Sequence, residues 1–257
     1  METLQGGREW AIYRKDDVVL RPANHWTMTV HLFLKHLHSN GFLACPKPIS
    51  IEKGKEILTY VDGQSYNYPL NGPISSIIAL KSAAKMLRNL HDASANFLND
   101  HQDTVLHWML PERLPKEVIC HGDFMPYNVA LDGECVVGVF DFDTIHPAPR
   151  VWDIAMSVYG WAPFKTNEYD KLGTLEEQIR RAKLFCDSYG CSRLDREELV
   201  DVMTLRLTAL VNYMRTMATK GDASFQENMQ DCHHDAYLQD IEYLRKHRRV
   251  ITQGLLD

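Results

Sequence analysis

No stretch of the 257 residues approaches the roughly 20 consecutive apolar residues that a membrane span requires. The opening "METLQGGREW" has no apolar signal core either. A soluble, cytoplasmic protein with no membrane partner is therefore expected. The six cysteines, at 45, 120, 135, 186, 191 and 232, include no Cys-x-x-Cys pair, which argues against a zinc site and against a dense disulfide framework. An excess of positive charge is also missing: 28 Lys and Arg against 34 Asp and Glu leave a net charge of -6. Nucleic acid as a main partner is excluded on that ground, because phosphate contacts need clustered cations. The acid is unevenly placed, with 8 basic and 7 acidic residues up to Gly63 and 20 and 27 beyond it. Acidic clefts attract cations, so a cationic acceptor is one expectation and a merely solvated acidic surface the other.

What is present is a short acid-rich segment, "CHGDFMPYNVALDGECVVGVFDFD", from Cys120 to Asp143. Val136 to Phe140 reads as a buried strand, since β-branched and aromatic residues fit an enclosed pleated surface. Asp132-Gly133 between two apolar runs is a hairpin signal. Folding that hairpin returns Asp141 to the neighbourhood of Asn128 and of the loop carrying Asp123. A carboxylate leaving a buried strand needs a cation or hydrogen-bond donors. Asn128 and Asp141 offer two hard oxygen ligands, the set Mg²⁺ takes when substrate phosphates supply the rest. Asp123 is left to face a hydroxyl nucleophile and accept its proton, a division of labour suited to phosphoryl transfer. Asp143 either joins the metal or substrate site or caps the next turn. His121 reads as a structural hydrogen-bonder beside the tight turn at Gly122.

"HGDFMPYN" followed by "VFDFD" resembles the catalytic and metal-binding loops of the aminoglycoside phosphotransferase and choline kinase family. The resemblance implies an α+β, bilobal protein-kinase-like fold: a small, reduced, β-rich nucleotide-binding N-lobe over residues 1–63 and a mainly helical acceptor-binding C-lobe over 64–257. It implies Asp123 as base, Mg²⁺ on Asn128 and Asp141, ATP as donor, and adenine on the backbone of a hinge at Thr59, Tyr60 and Val61. Asp153 resembles the family's buried Asp that ties the catalytic loop to a helix. Two features depart from the pattern. The strand lysine that should meet the nucleotide phosphates is replaced by Arg21, and the helix 27–38, capped by Thr27 or Thr29, contains no acid to pair with it; His31 or His36 is left to face it. The phosphate loop is reduced to Gly6-Gly7. Arginine presents a planar fork where lysine presents a point charge, so the replacement is not conservative.

Beyond Gly63 the spacing predicts helices over 75–98, 174–189, 195–219 and 234–254, with another starting near Pro149. Only eleven residues separate Asp141 from Asp153, too few for the activation segment of a protein kinase. Met125 also stands where protein kinases usually carry a lysine. Both features favour a small-molecule hydroxyl acceptor, and Trp152, Tyr159 and Trp161 either wall its pocket, with Trp161 a candidate substrate contact, or belong to the core. A non-catalytic nucleotide binder and a metal-dependent phosphohydrolase are the competing readings. Oligomeric state is not legible.

Overall fold

Short strands rich in β-branched residues, among them Val18, Val19, Ile49, Ile51 and Ile57, build the N-terminal sheet. In the computed structural model, which describes residues 2–4 and 12–257, β1 (Glu2–Thr3), β2 (Tyr13–Lys15), β3 (Val18–Pro22), β4 (Pro48–Glu52) and β5 (Lys55–Thr59) form one antiparallel sheet in the order β1-β2-β3-β5-β4. Gly6-Gly7 lies outside the described residues. Helix α1 (Thr27–Ser39) crosses between β3 and β4. Its Val30, Phe33, Leu34 and Leu37 recur at helical spacing and are buried together. A Leu or Phe removed from water stabilises by about 1.5–3 kcal/mol, and Phe33→Ala would cost about 3–5 kcal/mol through the cavity it leaves. Neither threonine caps this helix: Thr27 Oγ1 accepts from Asn24 N–H, and Thr29 Oγ1 accepts from His107 N–H at 2.8 Å. The second bond ties the helix to a distant loop.

The remainder is mainly helical: α2 (Ile77–Ala93), α3 (Phe97–Asp100), α4 (Arg150–Trp161), α5 (Leu175–Tyr189), α6 (Arg193–Thr219), α7 (Ala223–Gln230) and α8 (His233–Leu256). The helix expected over 75–98 breaks at Ser94, where α2 ends, and restarts as α3. Ser76, Thr174 and Ser192 cap α2, α5 and α6 by accepting from backbone N–H groups one turn on. Two antiparallel pairs interrupt the helices: β6 (Val118–Cys120) with β9 (His146–Ala148), and β7 (Val129–Asp132) with β8 (Cys135–Val139). One apolar core runs through both halves, joining Phe33 and Leu58 to Leu87, Phe142 and Phe185. No helix among the described residues is long and apolar enough to cross a membrane.

Candidate active site

The loop after β6 is held from beneath by one carboxylate. Asp153, wholly buried on α4, accepts from His121 N–H at 2.7 Å and Gly122 N–H at 2.9 Å. His91 of α2 lies with Nε2 3.0 Å from the same carboxylate. Burial keeps His91 neutral by lowering its pKa; with Nε2–H on Asp153, Nδ1 is left to accept from Tyr189 Oη–H at 2.7 Å. Burial opposes ionisation of Asp153, but the His91 hydrogen bond and the backbone donors prevail and hold its pKa at about 2. The loop's other side is tied by Thr144 Oγ1–H to His121 O and by Arg206 Nη2 of α6 to Gly122 O. Gly122 has φ +82°, and a Cβ there would meet Thr144 O at 2.4 Å, so only glycine serves. His121 itself is buried, with Nε2 3.0 Å from Phe140 O and Nδ1 accepting from Asp123 N–H.

On this base the β7–β8 hairpin assembles the acids. Phe140 N–H donates to Asn128 O at 3.0 Å, which sets Asp141 beside Asn128. Asn128 Nδ2 donates to the carbonyl of Asp123 at 2.9 Å and to its Oδ2 at 3.0 Å. Asn128 Oδ1 is left without a protein donor among the described residues. Tyr127 Oη–H reaches both Asp123 oxygens, at 3.1 and 3.2 Å. Burial raises the Asp123 pKa, with Asp141 adding to the effect and His121, Arg206 and the Tyr127 hydrogen bond opposing it. Asp141 sits at φ 62°, in the left-handed region that a non-glycine residue enters only when its surroundings over-determine it.

Arg21 is not without a carboxylate partner. Its Nε donates to Glu56 Oε2 at 2.5 Å, its Nη1 to Asp141 Oδ1 at 3.0 Å and its Nη2 to Asp143 Oδ1 at 2.7 Å. Glu56 faces it directly across the β3–β5 ladder. The acid that the helix lacks is thus supplied by the adjacent strand, and the helix contributes His31, whose Nε2 lies 3.0 Å from Glu56 Oε1 without hydrogen-bond alignment. His36 faces elsewhere, toward Ala95 O and Asp100. Burial works against the Arg21 charge, yet Asp143, Glu56 and Asp141 together raise its pKa. Burial likewise raises the Asp143 pKa, partly countered by Arg21. Asp143 therefore belongs to the Arg21 side of the site.

A cavity of about 610 Å³ opens beside Asp123 and Tyr127, between α4, α6 and the segment 109–113. Trp161 is not on its wall. The indole is wholly buried, and Nε1–H donates to Phe124 O at 3.2 Å, so Trp161 supports the loop from behind. The acidic excess does not reach this cavity either, because Asp123 is the one carboxylate among its lining residues. A second cavity, of about 600 Å³, is bounded by Thr59 to Gly63 but by none of Arg21, Asp123 or Asp141, which separates it from the acids. Thr59 N–H and Tyr60 N–H are already donated, to Lys47 O and Asp17 O. Of Thr59, Tyr60 and Val61, only Val61 keeps an uncommitted backbone donor among the described residues. Glu56, Tyr127 and Arg206 escaped the sequence reading. Glu56 opens the run "EILTYVDGQ" and reads there as a terminal charge.

Residues 98–184 match the model of the phosphotransferase enzyme family. The chain is 30% identical over 207 residues to the trifolitoxin immunity protein of Rhizobium leguminosarum bv. trifolii, covering 77% of each chain. It is 33% identical over 115 residues to an aminoglycoside 3'-phosphotransferase of Streptomyces fradiae, covering 44% of this chain and 40% of that protein. The crystal structure of a choline/ethanolamine kinase family protein from Mesorhizobium loti superposes with a TM-score of 0.63 at 12% identity, over 95% of this chain and 88% of the other. The expected protein-kinase-like α+β fold is thereby established.

Proposed function

Because the chain belongs to the phosphotransferase enzyme family, we propose that it transfers the γ-phosphate of ATP to a hydroxyl group of a small-molecule acceptor, with Asp123 as base. One observation carries the reading: the Asp123 carboxylate, aligned by Tyr127 and Asn128, faces an open cavity on one side and the Asn128–Asp141 edge on the other. Positioning and electrostatics supply most of the catalysis in such transfers. The acceptor hydroxyl, seated in the cavity, donates its hydrogen bond to Asp123. As the oxygen attacks the γ-phosphorus, the bond to the β,γ-bridging oxygen breaks, ADP leaves, and the hydroxyl proton passes to the carboxylate. Burial raises the pKa of Asp123 and with it its basicity, while the Tyr127 and Asn128 hydrogen bonds fix its orientation.

Asn128 and Asp141 would hold Mg²⁺. The donor set fits: Asn128 Oδ1 and one Asp141 oxygen are uncommitted, both are hard, and two such ligands plus phosphate oxygens are what the ion takes. Bound there, the ion would neutralise charge on the nucleotide phosphates. Arg21 is positioned by Glu56 to offer its guanidinium to the same phosphates in exchange for Asp141 and Asp143. The phosphohydrolase reading loses support, since the buried group His91, Cys120 and Asp153 that could resemble a metal site is occupied with holding the loop. The immunity function in the name of one relative makes a toxic compound one candidate acceptor.

The test is ³¹P transfer from Mg·ATP across a panel of hydroxylated compounds, with wild type and Asp123→Asn side by side. Nucleotide consumed only with acceptor present, and lost in the variant, supports the transferase. Consumption that ignores the acceptor, or survives Asp123→Asn, overturns it.

A further inference from the structure

The cavity beside Asp123 is built for the opposite charge from the one the composition suggests. Against its single carboxylate stand Arg113, Arg206 and Lys220. Arg88, Arg150, Arg196 and Arg248 lie within ion-pair distance of an Asp or Glu, and the buried Arg181, which has no such partner among the described residues, donates from Nε and Nη2 to Trp161 O and from Nη1 to Ser75 O. Arg113 and Arg206 have no ion-pair partner among the described residues. Both guanidinium groups approach the same indole, Arg113 at 4.2 Å and Arg206 at 5.6 Å from the ring centroid of Trp152. Arg206 is only 5% exposed, donates a single hydrogen bond, to Gly122 O, and leaves Nε without a partner.

A buried guanidinium with most of its donors idle is costly. A second guanidinium on the same ring, that of the partly exposed Arg113, adds mutual repulsion. Support of the loop accounts for one N–H of Arg206, and the nearby Asp123 offsets part of its charge. Neither accounts for Arg113, whose guanidinium has no hydrogen-bond or ion-pair partner among the described residues and rests on Trp152, nor for the orphaned Nε. An anionic group between them would offset both costs, and the planar fork of arginine matches carboxylate and phosphate oxygens. His146 cannot serve as a further cation, because burial lowers its pKa to about 4 and its Nε2 accepts from Trp152 Nε1–H. Met109, Leu110 and Leu210 supply an apolar wall for the body of such a molecule.

Resting on the phosphotransferase reading for the role of the hydroxyl, we propose that the acceptor is an anion: a hydroxyl-bearing molecule with an apolar body whose carboxylate or phosphate group is seated by Arg113 and Arg206 beside Trp152, with the hydroxyl at Asp123. A polycationic acceptor would meet like charge there.

Small aromatic probes of opposite charge test this. Benzoate, phenyl phosphate and benzylamine are titrated calorimetrically into wild type, Arg113→Gln, Arg113→Lys and Arg206→Met, each with and without saturating Mg·ADP. At least one anion is expected to bind about tenfold or more tightly than benzylamine, since opposite rather than like charge meets the arginines. Arg113→Gln should raise that Kd about tenfold and Arg113→Lys recover part of the loss, as removal and partial restoration of one charged contact require. Which anion binds better separates a carboxylate from a phosphate site. Equal or tighter binding of benzylamine, no binding of either anion, or an anion affinity untouched by Arg113→Gln overturns the proposal. Arg113 is partly exposed, so its variants keep the test decisive even if Arg206→Met fails to fold. An Arg113-dependent anion preference in a protein that never binds Mg·ADP would retain the anion site and sink the phosphotransferase reading. Mg·ADP binding with benzylamine preferred would do the reverse.

Discussion

Asp123, Asn128 and Asp141 are assembled by one loop and one hairpin, whereas Arg21 finds its three acids 35, 120 and 122 residues away. The acid side is short-range in sequence and rests on a buried pedestal, Asp153. The cation side depends on the register of β3 against β5 and on how the sheet meets the hairpin. A change in the pedestal should therefore cost stability and activity together, and a change around Arg21 should act chiefly on the nucleotide. The comparison also explains how the chain does without a helix acid. A strand neighbour reaches the same guanidinium, and arginine's fork lets one residue hold Glu56 while also facing Asp141 and Asp143.

The largest effect is expected at Asp123. Asp123→Asn should lower kcat for transfer by about a thousandfold, the usual worth of a positioned base, with an unchanged circular dichroism spectrum; transfer within tenfold of wild type would remove Asp123 from the base role. Next comes the pedestal. Asp153→Asn should lower the unfolding free energy by about 3 kcal/mol, since it breaks a buried charged network on one side only, as read from urea denaturation. Because the folded pKa of Asp153 is depressed to about 2, its contribution is complete above the unfolded carboxylate value, near 4, and is lost as pH falls through 2. The gap between wild type and Asp153→Asn should therefore close over that window. A gap constant from pH 6 to pH 2 would contradict the network.

On the cation side, Glu56→Gln and Arg21→Lys should each raise the KM for Mg·ATP by about tenfold, the scale of one charge-assisted hydrogen bond, while changing unfolding free energy less than Asp153→Asn does. A stability loss larger than that of Asp153→Asn would erase the contrast between the two regions. The smallest effect is expected at Trp161. Trp161→Phe removes one hydrogen bond to Phe124 O and should cost about 1 kcal/mol, without selectively changing the KM for any acceptor. An acceptor-specific KM change would return Trp161 to the pocket wall.

The parts legible beforehand share one property: their cause is local. Asp132-Gly133 between apolar runs specifies a hairpin, and the hairpin's pairing returns Asp141 to Asn128. Helical spacing identified α1, α5, α6 and α8 to within a few residues. Apart from the break at Ser94 and the turn that takes Thr27, the surprises are long-range. Thr29 looks like a cap because threonine often is one, but it is taken by His107 from a distant loop. Of the aromatics left open between pocket wall and core, α4 packs Trp161 inward and turns Trp152 to the cavity. The acidic excess beyond Gly63 was a sum over surface, whereas a cavity is lined by whichever few side chains α4, α6 and the 109–113 segment turn inward.

Residue identity and spacing alone placed the β7–β8 hairpin and helices α1, α5, α6 and α8, because turns, strand alternation and helical periodicity act over a handful of residues, while the fold was implied by the resemblance of the loop motif. Tertiary structure alone decided that Glu56 answers Arg21, that Asp153 carries the loop and that arginines face the cavity, because each depends on strand register or helix packing that brings together residues tens of positions apart.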